Sequence, residues 1–327
     1  MNNGDDIYFS QSYIAQIGGI TTSTLSRYLS KSHENDDLNK DNKRKKFSFA
    51  EVRNILKHFV SNNVSINKKI QVFFNFKGGT GKTSLCHQVS INLALMGFKV
   101  LAIDCDPQAH LSYVLGFDET HDYKTLYDVL INKFPINDVI NKSLYDGLDC
   151  IPSNLSLTRL ELPLSQKLNR ERTLAKVLEP LKNIYDFILI DTNPTISTVN
   201  QNATLAADIL NIVCETQPFS LKGLEMLIQE IDKFSEDMEC DINYSIIPNK
   251  YESKTATSQE ALGTLRHEYK NHVMESLVRK CEDINISAKK KMPVFGFCTK
   301  RSMALEDIID LSHEIIKRSS KKVRYES

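Results

Sequence analysis

The stretch "VFFNFKGGTGKTS", Val72 to Ser84, decides how the rest of the chain is read. Its end, Gly81-Lys82-Thr83, closes a glycine-rich loop of the form G-x-x-x-x-G-K-[ST]. In such loops backbone N–H groups turn inward around phosphate oxygens at the start of a helix. Counting back from Gly81 puts Phe76 where the first glycine belongs, and beside it stands an additional cation, Lys77. An apolar run precedes the loop, and "KTSLCHQVSINLALMG" follows with helical periodicity, ending at Gly97 as a helix should. Strand, phosphate loop and helix in that order are the seed of an α/β nucleotide-binding sheet. Gly78, Gly79, Thr80 and Gly81 form the cradle, Lys82 neutralises the β and γ phosphates, Thr83 offers its hydroxyl to Mg²⁺, and Ser84 follows at the helix N-terminus.

Outward from the loop, short apolar runs alternate with helix-like segments. "QVFFNF", "KVLAID", "LDCIP", "DFILID", "ILNIVCET" and "NYSIIP" read as parallel strands buried on both faces. "ERTLAKVLEPLKN", "LKGLEMLIQEIDKF" and "TSQEALGTLRHEY" carry apolar residues at three-to-four spacing. The expectation is a doubly wound, mostly parallel α/β sheet with its ligand beyond the carboxyl ends of the strands. Two carboxylate segments fall there. "LAIDCDPQ" places Asp104 and Asp106 two apart, on one side of a strand end, and "YDFILIDTNP" places Asp191 at the end of another strand. A carboxylate at the end of a buried strand is costly without a partner, and Mg²⁺ with its waters is a natural one.

At 327 residues the chain suits about two domains. Its 41 basic and 41 acidic side chains cancel, so net charge points to no polyanionic partner, and a nucleic-acid surface has to come from local clustering. No apolar run approaches the ~20 residues of a membrane helix, and "MNNGDDIYFSQ" lacks the pattern of a signal peptide, so a cytoplasmic protein is expected. The widely spaced cysteines, with no C-x-x-C pair, predict reduced thiols in core positions.

Residues 1–65 differ from the rest, residues 66–327. In "SQSYIAQIGGITTSTLSRYL", Ala15, Gly19 and Leu25 have the spacing of a helix-turn-helix. Thr21 and Thr22 are positioned to cap the second helix, whose outer face carries Ser23, Thr24, Ser26 and Arg27. A polar loop, "KSHENDDLNKDNKRKK", and a third helix from about Ser48 complete a small all-helical module. The Thr/Ser/Arg face and the Lys43–Lys46 cluster predict DNA binding.

"KGGTGKTS", "IDCDPQ" and "FILIDTNP", in that order, resemble the deviant Walker A ATPases of the ParA/MinD class, and the helix-turn-helix before them resembles the larger ParA-type DNA-partition ATPases. The likeness continues in "IIPNKYESKTATSQEALGTLR" and "SMALEDIIDLSHEI". It implies ATP with Mg²⁺ and a homodimer sandwiching two nucleotides, in which the position of Lys77 reaches the phosphates held by the other subunit. By the same resemblance Asp106 positions the attacking water, Asp104 and Asp191 hold Mg²⁺ through water, and Asn249 lies near the adenine. It implies a ParB-type centromere-binding partner that stimulates hydrolysis, operator DNA at the N-terminal module, and non-specific DNA that keeps the protein on the nucleoid. A nucleotide-responsive regulator and a MinD-like positioning ATPase are the alternatives, and the polar ending "EIIKRSSKKVRYES" has no apolar face for a membrane. Asn193 stands where the family has proline, which bears on the stiffness of that turn. Cys105 has no companions placed for a metal cluster. Non-specific DNA requires basic clusters, and the chain offers Lys289, Lys290, Lys291, Lys300 and Arg301, then Lys317, Arg318, Lys321, Lys322 and Arg324.

Overall fold

A computed structural model describes residues 7–32, 46–118, 120–167, 169–299 and 301–321. Strands β1 (Tyr8–Phe9) and β2 (Phe47–Ser48) form a two-residue antiparallel ladder between helices α1 (Gln11–Gly18), α2 (Thr22–Ser32) and α3 (Phe49–Phe59). The main sheet starts at β3 (Ile70–Phe74), from which the phosphate loop leads into α4 (Lys82–Leu95). There follow β4 (Val100–Asp104), α5 (His110–Val114), α6 (Leu126–Leu130), β5 (Asn141–Lys142), β6 (Leu148–Ile151), α7 (Glu161–Ser165) and α8 (Thr173–Leu178). The last part comprises β7 (Phe187–Asp191), α9 (Thr198–Ala206), β8 (Ile209–Glu215), α10 (Pro218–Asp237), β9 (Tyr244–Asn249), α11 (Ala256–Glu268), α12 (Glu282–Lys290) and α13 (Met303–Ser319).

Among the described residues the sheet has seven strands in the order β5-β6-β4-β7-β3-β8-β9, all parallel except the edge strand β5. The six expected apolar runs each supply one parallel strand. Every residue of β3, β4, β6, β7 and β8 is buried, which explains why those runs are apolar throughout rather than alternating. β3 sits between β7 and β8, and in the β4–β7 pairing Asp104 lies directly opposite Asp191. Both carboxylates therefore end at one edge of the sheet, beside the phosphate loop. The one helix that departs from expectation is "ERTLAKVLEPLKN": α8 stops at Leu178 and a 3₁₀ turn covers Glu179–Asn183. Pro180 lacks an N–H and clashes with the preceding turn, so an α-helix cannot run through it.

The N-terminal helices are not strung on a linker. Ile14, Leu25 and Leu56 belong to the same buried cluster as Leu93 of α4 and Ile309 of α13. Arg53, buried on α3, donates to the carbonyls of Ala94 and Phe98 at the far end of α4 and pairs with Asp146 at 3.2 Å. His313 Nε2 meets the carbonyl of Ile17 at 2.8 Å. Gly97, in the left-handed region at φ +99°, lies so close to α3 that a Cβ there would stand 2.5 Å from Lys57 Cα. A capping box starts α3: Ser48 N donates to Glu51 and Glu51 N to Ser48 Oγ. The stretch read as a polar loop falls mostly on residues 33–45, outside the described residues.

Gly97→Ala would combine a left-handed backbone penalty with a backbone clash, so a loss of about 1–3 kcal/mol is expected. Urea denaturation of the full chain measures it, and an unchanged midpoint would mean α3 does not press on this turn.

Candidate nucleotide site

The phosphate loop is held from behind. Asn249 Nδ2, at the end of β9, donates to the carbonyl of Thr80 at 2.6 Å, and Lys250 Nζ donates to that of Gly79 at 2.6 Å. Asn75 Nδ2 reaches the carbonyl of Val213 on β8 at 2.8 Å, while its Oδ1 accepts from Lys77 N. With the carbonyls of Gly79 and Thr80 turned toward the end of β9, the opposite ends of those peptides face the cradle. Gly81 is a forced choice: its φ is +98°, and a Cβ there would stand 2.4 Å from Asn249 Nδ2. Phe76, in place of the usual first glycine, is half-buried and packs edge-on against Phe74 with ring centroids 5.2 Å apart.

The two lysines of the loop take different positions. Lys82 is buried, with Nζ 3.2 Å from the carbonyl of Lys77. Burial lowers its pKa, against the pull of Asp191 and Asp106. The Lys77 side chain is 49% exposed and is held at the end of β8: Nζ lies 2.6 Å from Glu215 Oε2 and 3.2 Å from Ser220 Oγ. Glu215 also takes Lys250 Nζ on its other oxygen at 2.7 Å. Burial pushes the Glu215 carboxyl up, but the hydrogen bonds and charge of Lys250 and Lys77 hold it below the usual glutamate range.

Thr83 Oγ1 donates to Asp191 Oδ2 at 2.7 Å. The other Asp191 oxygen is buried without a partner, as is the hydroxyl of Thr80. Burial, and then the charge of Asp104, push the Asp191 carboxyl well above the usual range. A buried carboxylate oxygen beside a threonine hydroxyl and a second carboxylate fits an oxygen-seeking divalent cation. Asp104 is also fully buried, and burial raises it to about 6 against hydrogen bonds from Ser112 and Asp106. Its Oδ2 accepts from Ser112 N and Oγ at 2.8 and 2.7 Å, and its Oδ1 from Asp106 N at 3.0 Å. Asp104 thus shapes the turn that carries Asp106. Asp106 itself is half-buried, with Oδ1 accepting from Gln108 N and its carbonyl from Ser153 Oγ. Ser84, next on α4, is half-buried.

Asn193, the departure from the family's proline, is tied into its turn by hydrogen bonds. Its side-chain oxygen accepts from Thr195 Oγ1 at 2.7 Å and from Asn200 Nδ2 at 2.9 Å, and Asn200 Nδ2 also holds the carbonyls of Asn193 and Thr195. Glu215, Lys250 and Ser220 were absent from the reading of the sequence. The signal existed, since Glu215 ends a buried strand as Asp104 and Asp191 do and required a partner on the same argument. Asn249, expected near the adenine, has its amide nitrogen on the loop itself.

On α2, Thr21 Oγ1 accepts from Thr24 N at 3.1 Å as the cap, and Ser23, Thr24, Ser26 and Arg27 are exposed. Of the C-terminal basic residues, Lys317 and Lys321 are exposed. Arg318 is committed elsewhere, with Nε 2.8 Å from Glu314 and a terminal nitrogen 2.8 Å from the carbonyl of Val273. Lys289, Lys290 and Arg301 are exposed, whereas Lys291 lies half-buried over the Tyr113 ring. Lys43, Arg44, Lys45, Lys300, Lys322 and Arg324 lie outside the described residues. Among the described residues no helix is long and apolar enough to cross a membrane, and no group of three metal-ligating side chains forms a cluster.

Asn249→Ala removes the donor on the Thr80 carbonyl, so a nucleotide affinity about five- to tenfold weaker is expected, the equivalent of one buried hydrogen bond. Fluorescent-nucleotide titration reads it, and wild-type affinity would show that the loop keeps its shape unaided.

A family model described as an AAA domain matches residues 68–244, more than half the chain. The cell division protein PomZ of Myxococcus xanthus is 34% identical over 226 residues, spanning 69% of this chain and 71% of that protein. The chromosome partitioning protein ParA of Caulobacter vibrioides is 28% identical over 253 residues, spanning 76% of this chain and 94% of that one. An ATP complex of McdA from Cyanothece shares the fold at a TM-score of 0.69 and 19% identity, covering 80% of this chain and 100% of that one. The loop, the carboxylate pair and these likenesses agree: the chain belongs to this AAA-domain family, among the P-loop ATPases of the ParA/MinD superfamily.

Proposed function

We propose that the chain is an ATP-dependent DNA-partition ATPase whose two subunits close around two nucleotides. The observation that carries this reading is the divergence of Lys77 and Lys82. One lysine is buried at its own cradle, while the other is half-exposed and paired with Glu215. Two triphosphates brought face to face repel, and a cation supplied by each chain to the other turns that repulsion into a requirement for ATP. Gly78, Gly79, Thr80, Gly81, Lys82, Thr83 and Ser84 hold the phosphates. Thr83 and Asp191, with Asp104 behind them, would hold Mg²⁺, which would supply charge neutralisation at the phosphates. Asp106 positions the attacking water from a turn fixed by Asp104 and Ser153.

In the free chain Glu215 competes for Lys77, so dimer closure has to exchange that carboxylate for phosphate. Lys250 remains on Glu215 when Lys77 leaves, which keeps the buried charge paired.

Operator DNA meets α2 through Ser23, Thr24 and Arg27, and non-specific DNA meets a surface that includes Lys317 and Lys321, with Lys322 alongside in sequence and Arg318 setting the helix end. A ParB-type centromere-binding protein stimulates hydrolysis, and the dimer works on the nucleoid in the cytoplasm. A second reading, a positioning ATPase of cell division, is favoured by the 34% identity to PomZ. Deleting the gene separates them: loss of a replicon supports partition, and misplaced septa with stable inheritance support positioning.

Lys82→Gln is expected to abolish ATP binding, and Lys77→Gln to keep binding while losing ATP-dependent dimerisation and hydrolysis. Glu215→Gln, which frees Lys77, should lower the ATP concentration needed for dimerisation. Nucleotide titration with analytical ultracentrifugation reads all three, and equal loss of binding in both lysine variants would refute the trans role.

Thr24→Ala and Arg27→Ala should cut discrimination of operator over random DNA by about 1–3 kcal/mol if they reach base edges. Lys317→Ala with Lys321→Ala should instead flatten the salt dependence of ATP-state DNA binding, about 0.9 log units per lost contact. Filter binding at several salt concentrations separates the two surfaces, and an unaltered slope would place the non-specific surface elsewhere.

A further inference from the structure

A cleft of about 180 Å³ opens between α9 and α10, on the face of the sheet away from α4. Phe74 at the end of β3 and Phe76 just beyond it line the cleft, together with Ile231 and Phe234 of α10. Ile196, from the turn after Asp191, also lines it and is 70% exposed. No residue from Lys77 to Ser84 is part of the lining, nor is Asp104, Asp106 or Asp191. The cleft is therefore distinct from the phosphate and Mg²⁺ site.

Its rim is charged. Glu230, Lys233 and Asp237 of α10 line the cleft, are exposed, and make no ion pair among the described residues. α10 carries five acidic side chains against two basic ones, all exposed, while α9 carries no charge. A surface that is apolar below and net acidic above is matched by one that is apolar and basic. The volume is several times the ~30 Å³ share of one water and below the ~300–1,000 Å³ of small-molecule sites, which suits a single large side chain. A groove walled by two helices that accepts one anchoring side chain is the geometry of helix-in-groove recognition.

We propose that this cleft docks a basic amphipathic helix of a partner protein, which seats an apolar side chain on Phe76 and Phe234 and lays its lysines or arginines against Glu230 and Asp237. The proposal gives Phe76 a purpose where phosphate loops usually begin with glycine. Its ring packs edge-on against Phe74, and a glycine would leave that part of the lining bare. The position also reaches the chemistry, in a step that rests on the ATPase reading. A Cβ on Gly78 would stand 4.0 Å from Pro194 Cγ, so the turn that carries Ile196 already lies against the phosphate loop. A docked helix would touch the first residue of the loop and the turn after Asp191 together. Nucleotide and helix would then change each other's affinity by the same factor.

Fluorescence anisotropy tests the docking with the full chain and no nucleotide. The probe is a labelled helical peptide of about four turns, with leucine at three-to-four spacing and lysine elsewhere. It is expected to bind, whereas the same peptide with glutamate for every lysine is not, and alanine for every leucine should weaken binding about tenfold or more. Gln201→Trp, at the α9 wall, should fill the cleft, and Ile196→Ser should strip its exposed edge, each weakening the peptide about tenfold. Glu230→Lys with Asp237→Lys should abolish its binding. The last two changes fall on exposed positions and carry the test if Gln201→Trp does not fold. No binding of the leucine–lysine peptide overturns the proposal, as does equal binding of the glutamate peptide or binding unaltered by these variants. Nucleotide-free self-association of the chain that Gln201→Trp abolishes, read by sedimentation, also overturns it, because the occupant would then be a second copy. Repeating the titration with Mg²⁺ and ATPγS should shift the peptide affinity about fivefold or more. Equal affinity in the two states overturns the coupling alone. Failure of ATPγS to bind in its own titration would count against the ATPase reading and leave the docking result in place.

Discussion

The phosphate loop depends on two side chains that never face the phosphates. A peptide group has two ends, and by holding the carbonyls of Thr80 and Gly79 from outside, Asn249 and Lys250 leave the inner ends free to point into the cradle. This works because the sheet order puts β8 beside β3 and β9 beside β8, so the end of a strand about 170 residues downstream arrives behind the loop. The loop is a product of the whole sheet rather than of its own glycines.

The electrostatics follow the same economy. Asp104 and Asp191 lie opposite each other at the ends of adjacent strands, where burial pushes both carboxyls upward and the charge of Asp104 pushes Asp191 further. Such a pair is strained as long as no cation joins it. Glu215 has the opposite problem solved twice, with two lysines on one carboxylate. The molecule therefore stores an unmet need at the centre of the site and a surplus cation at its rim.

Much of this was legible in the chain. Strands buried on both faces announce themselves as continuous apolar runs, and the loop and the strand-end aspartates have fixed local spacing. What stayed hidden involves contacts between residues far apart. Lys77 and Glu215 are 138 positions apart, and nothing near either one names the other. The hydrogen bond from Asn249 to the loop joins residues 169 positions apart. The asparagine at 200, seven residues on from Asn193, ties that turn by hydrogen bonds to its carbonyl and side chain. Pro180 was visible in the sequence, and its effect on α8 follows from its missing N–H.

The close seat of α3 on the end of α4 has a consequence for mechanics. α4 begins at the phosphate loop and ends under Arg53 and Lys57, so the N-terminal helices ride on the nucleotide helix as the jaw of a caliper rides on its beam. They cannot swing on a tether. In the two-chain assembly proposed above, the separation of the two α2 faces would be a dimension of the protein body, and DNA read by both would have to match that gauge in helical repeat and phase.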